Sequence, residues 1–292
     1  MFTLASRRWS ESIPAMCGLP ATVLPPVADP GTVVAGTFWQ NTVLLAEPLI
    51  DPEIRLRTLC HVVPGEWMLE GIGFYCGMSM RWFRDAFCDA EVALARSRDV
   101  DPYVVMEEAA AGAPSGRVIA ILSNVMNARR WAHASPSFLQ FDLDPEAGGT
   151  GRGACVRAIE EAAAYVTRGH RDIIAGLTGL RFGEAVFTGG AGRGRLWPQI
   201  MADVLGVPVQ IPAVTESSAL GAAICAGTAA GVYSSLLEPR PALRRRAATF
   251  EPDPAAVAAY DERYATWREV YRRMLEITDD GLLDPLWRAA GA

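Results

Sequence analysis

The chain predicts an α/β fold, and three observations carry that prediction. Half of its 292 residues are hydrophobic, enough for a sizeable core. Short apolar runs suited to buried strands alternate with segments of helical period. One continuous stretch from Glu184 to Gly231, EAVFTGGAGRGRLWPQIMADVLGVPVQIPAVTESSALGAAICAGTAAG, reads as strand, glycine turn, helix, strand and helix.

From the N-terminus, Thr32 to Pro48 and His61 to Phe74 are expected to be extended. Met80 to Ala95 is expected to be helical, with Trp82, Phe83, Ala86 and Phe87 as its apolar side. Asp101 to Ala111 forms a second helix, Gly112 to Gly116 a turn and Val118 to Leu122 a strand. Pro145 to Gly153 is a glycine-rich loop ahead of a helix from Ala154 to Thr167. Ala185 to Phe187 is an apolar run of the sort a sheet buries on both faces, stopped by Gly189 and Gly190. From Arg195 to Leu205 the residues Leu196, Ile200, Val204 and Leu205 share one helical face, with Gly206 as the stop and Pro208 beyond it. The glycines therefore precede a helix N-terminus, where unpaired N–H groups and the helix dipole favour an anionic ligand. Thr215 and Glu216 open a helix whose residues, Ala219 to Ala230, are nearly all small, which predicts close packing against its neighbours. Pro254 to Leu275 is a helix in which Val257, Tyr260, Tyr264, Trp267, Val270, Tyr271 and Met274 form a packing stripe.

Several function classes fall away on composition. A net charge of −6 leaves no electrostatic footprint for nucleic acid, and the basic cluster Arg244 to Arg246 reads as a solvated turn. No apolar run is long enough for a membrane span, and the first residues lack the apolar core of a signal peptide, so a cytoplasmic protein is expected. The six cysteines, at 17, 60, 76, 88, 155 and 225, form no C-x-x-C pair and are expected as buried free thiols. With His61, His133 and His170 far apart, no resident metal site is expected. A dinucleotide fingerprint starting at Gly190 would need glycine at 195, where arginine stands. A Walker A loop needs lysine, and the chain has none.

The ordered signature after the glycine turn, W-x-Q-I-x-A-D-V-x-G-x-P-V and then P-x-x-x-E-x-x-A-L-G-A-A, resembles the C-terminal domain of the FGGY family of carbohydrate kinases. GTFWQ (Gly36 to Gln40) resembles the phosphate loop that opens that domain. HVVPGEWMLEGIGFYCGMSMRWFRDAFC, HASPSFLQFDLDPE and DDGLLDPLW are similar to the autoinducer-2 kinase branch, and the likeness runs from about Ser10 to Trp287. It implies an actin-like, ribonuclease H-like ATPase fold. Residues 1–34 would be a remnant of the family's N-terminal domain, 35–238 the nucleotide-binding domain and 239–292 a helical extension.

The resemblance also implies ATP-dependent phosphoryl transfer to a hydroxyl of a small sugar-like substrate, with ATP and Mg²⁺ as cofactors. Gly36, Thr37, Gly189, Gly190, Ala191 and Gly194 would hold the adenine nucleotide, and Trp39, Phe74 and Arg81 would line the substrate side. Glycine at 194 departs from sugar kinases that place asparagine near adenine, and agrees with the autoinducer-2 kinase branch. Between Ala35 and Gly36 family members carry a G-G-x-D segment whose aspartate is the general base, and this sequence has no counterpart. Asp85, Asp142 and Asp203 lie outside that context, so no catalytic residue is assigned and impaired transfer is expected. Two function classes stay open: such a kinase, of this or another sugar specificity, and a nucleotide-binding scaffold without catalysis. The partner implied is a separately encoded N-terminal domain or a second copy of the chain.

Overall fold

A computed structural model of the chain describes residues 2–3, 8–9, 31–125, 132–144, 150–239 and 245–288. The elements in order are β1 (Phe2–Thr3), β2 (Arg8–Trp9), β3 (Thr32–Ala35), β4 (Trp39–Leu45), β5 (Arg57–Cys60) and β6 (Trp67–Gly73). They continue with α1 (Cys76–Phe87), α2 (Asp89–Arg98), α3 (Pro102–Ala111), β7 (Ile119–Ile121), β8 (Ala132–His133), β9 (Ser137–Leu139) and α4 (Arg152–Thr178). The last third supplies β10 (Ala185–Thr188), α5 (Leu196–Leu205), β11 (Val209–Pro212), α6 (Ser217–Ala229), β12 (Arg246–Phe250), α7 (Pro254–Asp279) and β13 (Trp287–Arg288). A 3₁₀ turn over Gly190–Arg193 separates β10 from α5.

Seven strands form one mixed sheet in the order β12-β11-β10-β3-β4-β6-β5. Its centre is parallel, β10 lying between β11 and β3, while β4, β6 and β5 extend one side as an antiparallel meander. The run from Thr32 to Pro48 is thus a hairpin rather than one strand: Gly36, Thr37 and Phe38 turn the chain, and Val34 pairs with Gln40. Helices α4 and α5 carry the main core against this sheet, with Phe187, Ile159, Ile200 and Met201 excluded from solvent.

Local chemistry sets the helix ends. Asp101 and Asp253 each accept a hydrogen bond from the backbone two residues on, at Tyr103 and Ala255, and each is followed by proline at the first helical position. Gly206 (φ 65°) and Gly179 (φ 72°) close α5 and α4 in the left-handed conformation that glycine adopts without a steric penalty.

Four expectations change in detail. The helix expected over Met80 to Ala95 is two, because the chain turns at the fully buried Cys88, whose backbone leaves the helical region. Its apolar face is Cys76, Met80 and Phe83, whereas Trp82 and Phe87 are 45% and 52% exposed. The helix expected over Ala154 to Thr167 runs on to Thr178, since burial of Thr167, His170 and Ile174 outweighs the weak helix preference of Gly169 and Gly176. Helix α6 buries only Gly221, Ile224 and Cys225 and leaves Ala219, Ala222, Ala223 and Ala226 in solvent, so its small residues pack on one face alone.

Residues 239–292 include β12, the edge strand beside β11, and α7, whose Tyr260, Tyr264, Trp267 and Tyr271 are part of the main core. Cys76, Cys88, Cys155 and Cys225 are buried and Cys60 is half-buried. Cys17, residues 10–30 of the expected remnant, residues 145–149 of the glycine-rich loop and Arg244 lie outside the described residues.

Candidate nucleotide site

Parallel pairing of β3 with β10 sets Val34 opposite Thr188, so both strands end side by side. The loops that leave them, Gly36–Thr37 and Gly189–Gly190, therefore meet at the carboxyl ends of two central strands. Contact is close enough to dictate residue type. A Cβ on Gly189 would stand 2.4 Å from the Ala35 carbonyl oxygen, and its φ of 96° belongs to the region that glycine occupies. Gly190 is different: a side chain there would meet nothing within 4 Å. The Gly189 N–H and the Thr188 hydroxyl both donate to the Thr215 carbonyl, at 3.0 and 2.9 Å, tying the turn to the segment between β11 and α6.

Helix α1 closes the other side of the Gly36–Thr37 loop. Met78 N–H donates to Thr37 O at 3.2 Å, and Arg81 Nη2 reaches Thr37 Oγ1 at 3.5 Å. The approach requires glycine at 77, where a Cβ would lie 1.9 Å from the Gly36 carbonyl oxygen. Tyr75, at the head of α1, takes the left-handed conformation (φ 59°), a strained geometry for a tyrosine beside this loop.

The N-terminus of α5 does not stand open to an anion as expected, because the chain supplies its own. Glu107 Oε1, from α3, accepts hydrogen bonds from the backbone N–H of Arg195 at 2.6 Å and of Leu196. A carboxylate at a helix N-terminus gains from both the orphan donors and the dipole. The same carboxylate fills the place of a side chain at 194, since a Cβ on Gly194 would lie 2.6 and 2.8 Å from its two oxygens. Beneath it Glu160 is buried with Oε2 unpartnered, and burial, reinforced by neighbouring Glu107, holds its carboxyl well above the usual range. Beside the turn runs a groove of about 940 Å³, bounded by Gly192, Gly194, Leu196, Ala111, Ile211 and Phe250.

Gly36, Thr37, Gly189, Gly190 and Ala191 are thus gathered at one junction, and Gly194 lies at the far end of the same turn. Trp39 faces inward. Its ring is fully buried, 5.3 Å from Phe187 and 5.1 Å from Trp197, so it packs the core beneath the loop instead of lining a substrate surface. Phe74 is half-buried among Phe38, Tyr75, His133 and Trp287. The three aspartates outside the base context have structural partners. Asp85 pairs with Arg84, Asp142 with Arg117, and buried Asp203 accepts from Gln199 Nε2 and Asp253 N–H, both at 2.9 Å, which anchors the start of α7. Gly77 and Glu107 were not among the expected site residues. Gly77 lies inside a motif whose spacing says nothing of loop contact, and Glu107 meets its partners 88 and 89 residues away in sequence.

The profile of the FGGY family of carbohydrate kinases, C-terminal domain, matches residues 31–230. The autoinducer-2 kinase of Escherichia coli (strain K12) is 36% identical over 337 aligned positions, covering all of this chain and 63% of that protein. That of Photorhabdus laumondii subsp. laumondii gives the same identity and coverage. The chain therefore spans about 63% of the length of the curated relatives it matches, and the 337 positions exceed its 292 residues by 45. Among solved structures, xylulose kinase from Rhodospirillum rubrum superposes with a TM-score of 0.69 at 24% identity, over 93% of this chain and 56% of that one. Plasmodium falciparum glycerol kinase, solved with ADP, gives 0.63 at 19%, over 84% and 47%. The fold is the expected α/β, actin-like ATPase fold, and on the family match and the 36% identity the chain belongs to the FGGY family of carbohydrate kinases.

Proposed function

We propose that the chain is the nucleotide-holding part of an ATP-dependent phosphotransferase that acts on a hydroxyl of a small sugar-like substrate, in the manner of autoinducer-2 kinases, with transfer impaired in this chain. The observation that carries this reading is the meeting of Gly36–Thr37 with Gly189–Gly190 at the carboxyl ends of two parallel strands, where open α/β sheets take their ligands. The Thr37 hydroxyl and the backbone of its loop suit phosphate oxygens, and Arg81 adds positive charge. Open space beside Gly190 leaves room for the adenosine, which in this reading lies along Ala191 towards Gly194. In this reading residues 35–238 form the nucleotide-binding unit, and Phe74 and Arg81 face the substrate.

Among the described residues no group of three His, Cys, Asp or Glu side chains is placed to hold a metal. The donors at the junction fit phosphates, and magnesium, carried in on them, offsets their charge. The sequence passes from Ala35 directly to Gly36 with no G-G-x-D segment between them. Without a positioned carboxylate to accept the hydroxyl proton, transfer slows by about 10²- to 10⁴-fold. The same gap favours a second reading, a nucleotide-binding scaffold completed by a separately encoded domain.

Calorimetric titration of the purified chain with ATP–magnesium should show weak binding, lost in Gly190→Trp, whose side chain enters open space and leaves the fold intact. Coupled ADP release with autoinducer-2 should run at least about a hundredfold below the Escherichia coli kinase. Binding unaffected by Gly190→Trp would move the nucleotide elsewhere, and turnover within tenfold of that kinase would refute the impairment. Binding without any turnover would select the scaffold.

A further inference from the structure

Glu107 holds the turn with one carboxylate oxygen and leaves the other unused. Both hydrogen bonds that it accepts, from Arg195 and Leu196, end on Oε1. Oε2 lies 2.8 Å from the position of a Cβ on Gly194. Any flat group lying against the bare backbone of Gly194 therefore meets a carboxylate oxygen. Glu107 and Ala111 share one face of α3 at i, i+4 spacing, and Ala111 lines the groove along the turn. The groove's apolar walls, Ile211 and Phe250, suit a heterocyclic ring, and Gln199 and Thr249 are among its polar lining.

We infer that Glu107 is the residue that recognises the base, its Oε2 accepting a hydrogen bond from the exocyclic amino group of adenine while Oε1 keeps the turn in place. The inference rests on the nucleotide reading above and adds to it a specificity element contributed by α3. An ionised carboxylate offers acceptors only, so it rewards an N–H donor on the ring edge and gives nothing to a ring that lacks one. Its fixed position matters as much as its charge, because two backbone donors already hold it and little ordering is left for the ligand to impose.

The test is a cycle between protein and ligand. ATP and the triphosphate of purine riboside, identical except for the 6-amino group, are titrated against the intact chain, Glu107→Ala and Glu107→Gln, with the affinity ratio as readout. The intact chain should prefer ATP by about tenfold or more, the range for a hydrogen bond to a charged acceptor. In both variants the ratio should fall to near one, since alanine removes the acceptor and glutamine, keeping its oxygen on the turn, points an amide N–H₂ at the amino group. Glu107→Gln preserves the cap on α5, so the measurement survives if Glu107→Ala folds poorly. A preference that persists unchanged in Glu107→Gln, or equal affinity for both triphosphates in the intact chain, overturns the inference while leaving the nucleotide site standing. If neither triphosphate binds, both readings fall.

Discussion

Gly189→Ala should lower the stability of the chain by roughly 3–5 kcal/mol, the combined effect of a backbone region that only glycine occupies readily and of a Cβ driven into fixed backbone. The obstructing atom is the Ala35 carbonyl oxygen at 2.4 Å, in the middle of the sheet, where no flexible side chain can give way. Relief would require β3 and β10 to part at the point where the Gly36–Thr37 loop begins, so any nucleotide affinity should fall with stability. Gly190→Ala is the matched control, since its Cβ meets nothing within 4 Å, and it should change stability by no more than about 0.5 kcal/mol. Urea unfolding of the two variants side by side decides the matter, and equal midpoints would contradict the geometry.

The second large effect is expected on acidification. His170 and His133 are buried, and burial lowers their imidazoles to about 3 and about 4. His170 is held by Asn41 at 3.2 Å and crowds the backbone of Gly71, where a Cβ would fall 2.3 Å from its ring. Both are neutral in the fold and take up protons on unfolding below about 6.5. Their contribution is complete above that pH and is lost as pH falls from 6.5 towards the folded values, each losing about 2 kcal/mol by pH 5. Glu160 works in the opposite sense, because its raised pKa makes the folded state the one that holds the proton. The comparison that isolates the effect is His170→Asn, which keeps a partner for Asn41 and cannot titrate. Between pH 7.5 and pH 5 the variant should lose about 2 kcal/mol less stability than the parent, measured by urea unfolding at both values. Parallel losses would show that His170 is not held neutral.

The parts of the fold legible in the sequence were those coded by short-range pattern. β10, the glycine turn, α5 and its Gly206 stop were read within a residue or two, because apolar period and glycine punctuation act locally. The α1–α2 corner was not, since nothing around Cys88 breaks the helical pattern and a buried thiol decides it from outside. Trp39 shows the same limit at the site. It sits two residues from Thr37, yet strand alternation turns it into the core, and only the register of β4 reveals that. Glu107 was invisible for a stronger reason, because its partners are backbone N–H groups that carry no side-chain signature.

The central pairing of β3 with β10 has a consequence for how the chain is made. Val33 emerges from the ribosome 154 residues before Phe187, its neighbour in the sheet. At about 5–20 residues per second β3 would wait roughly 8 to 30 s with this edge uncovered. An unpaired edge of that kind invites association with other nascent chains, and the long closure also slows refolding from denaturant. Aggregation during synthesis should therefore be governed by how fast residues 34 to 188 are translated more than by the stability of the finished sheet.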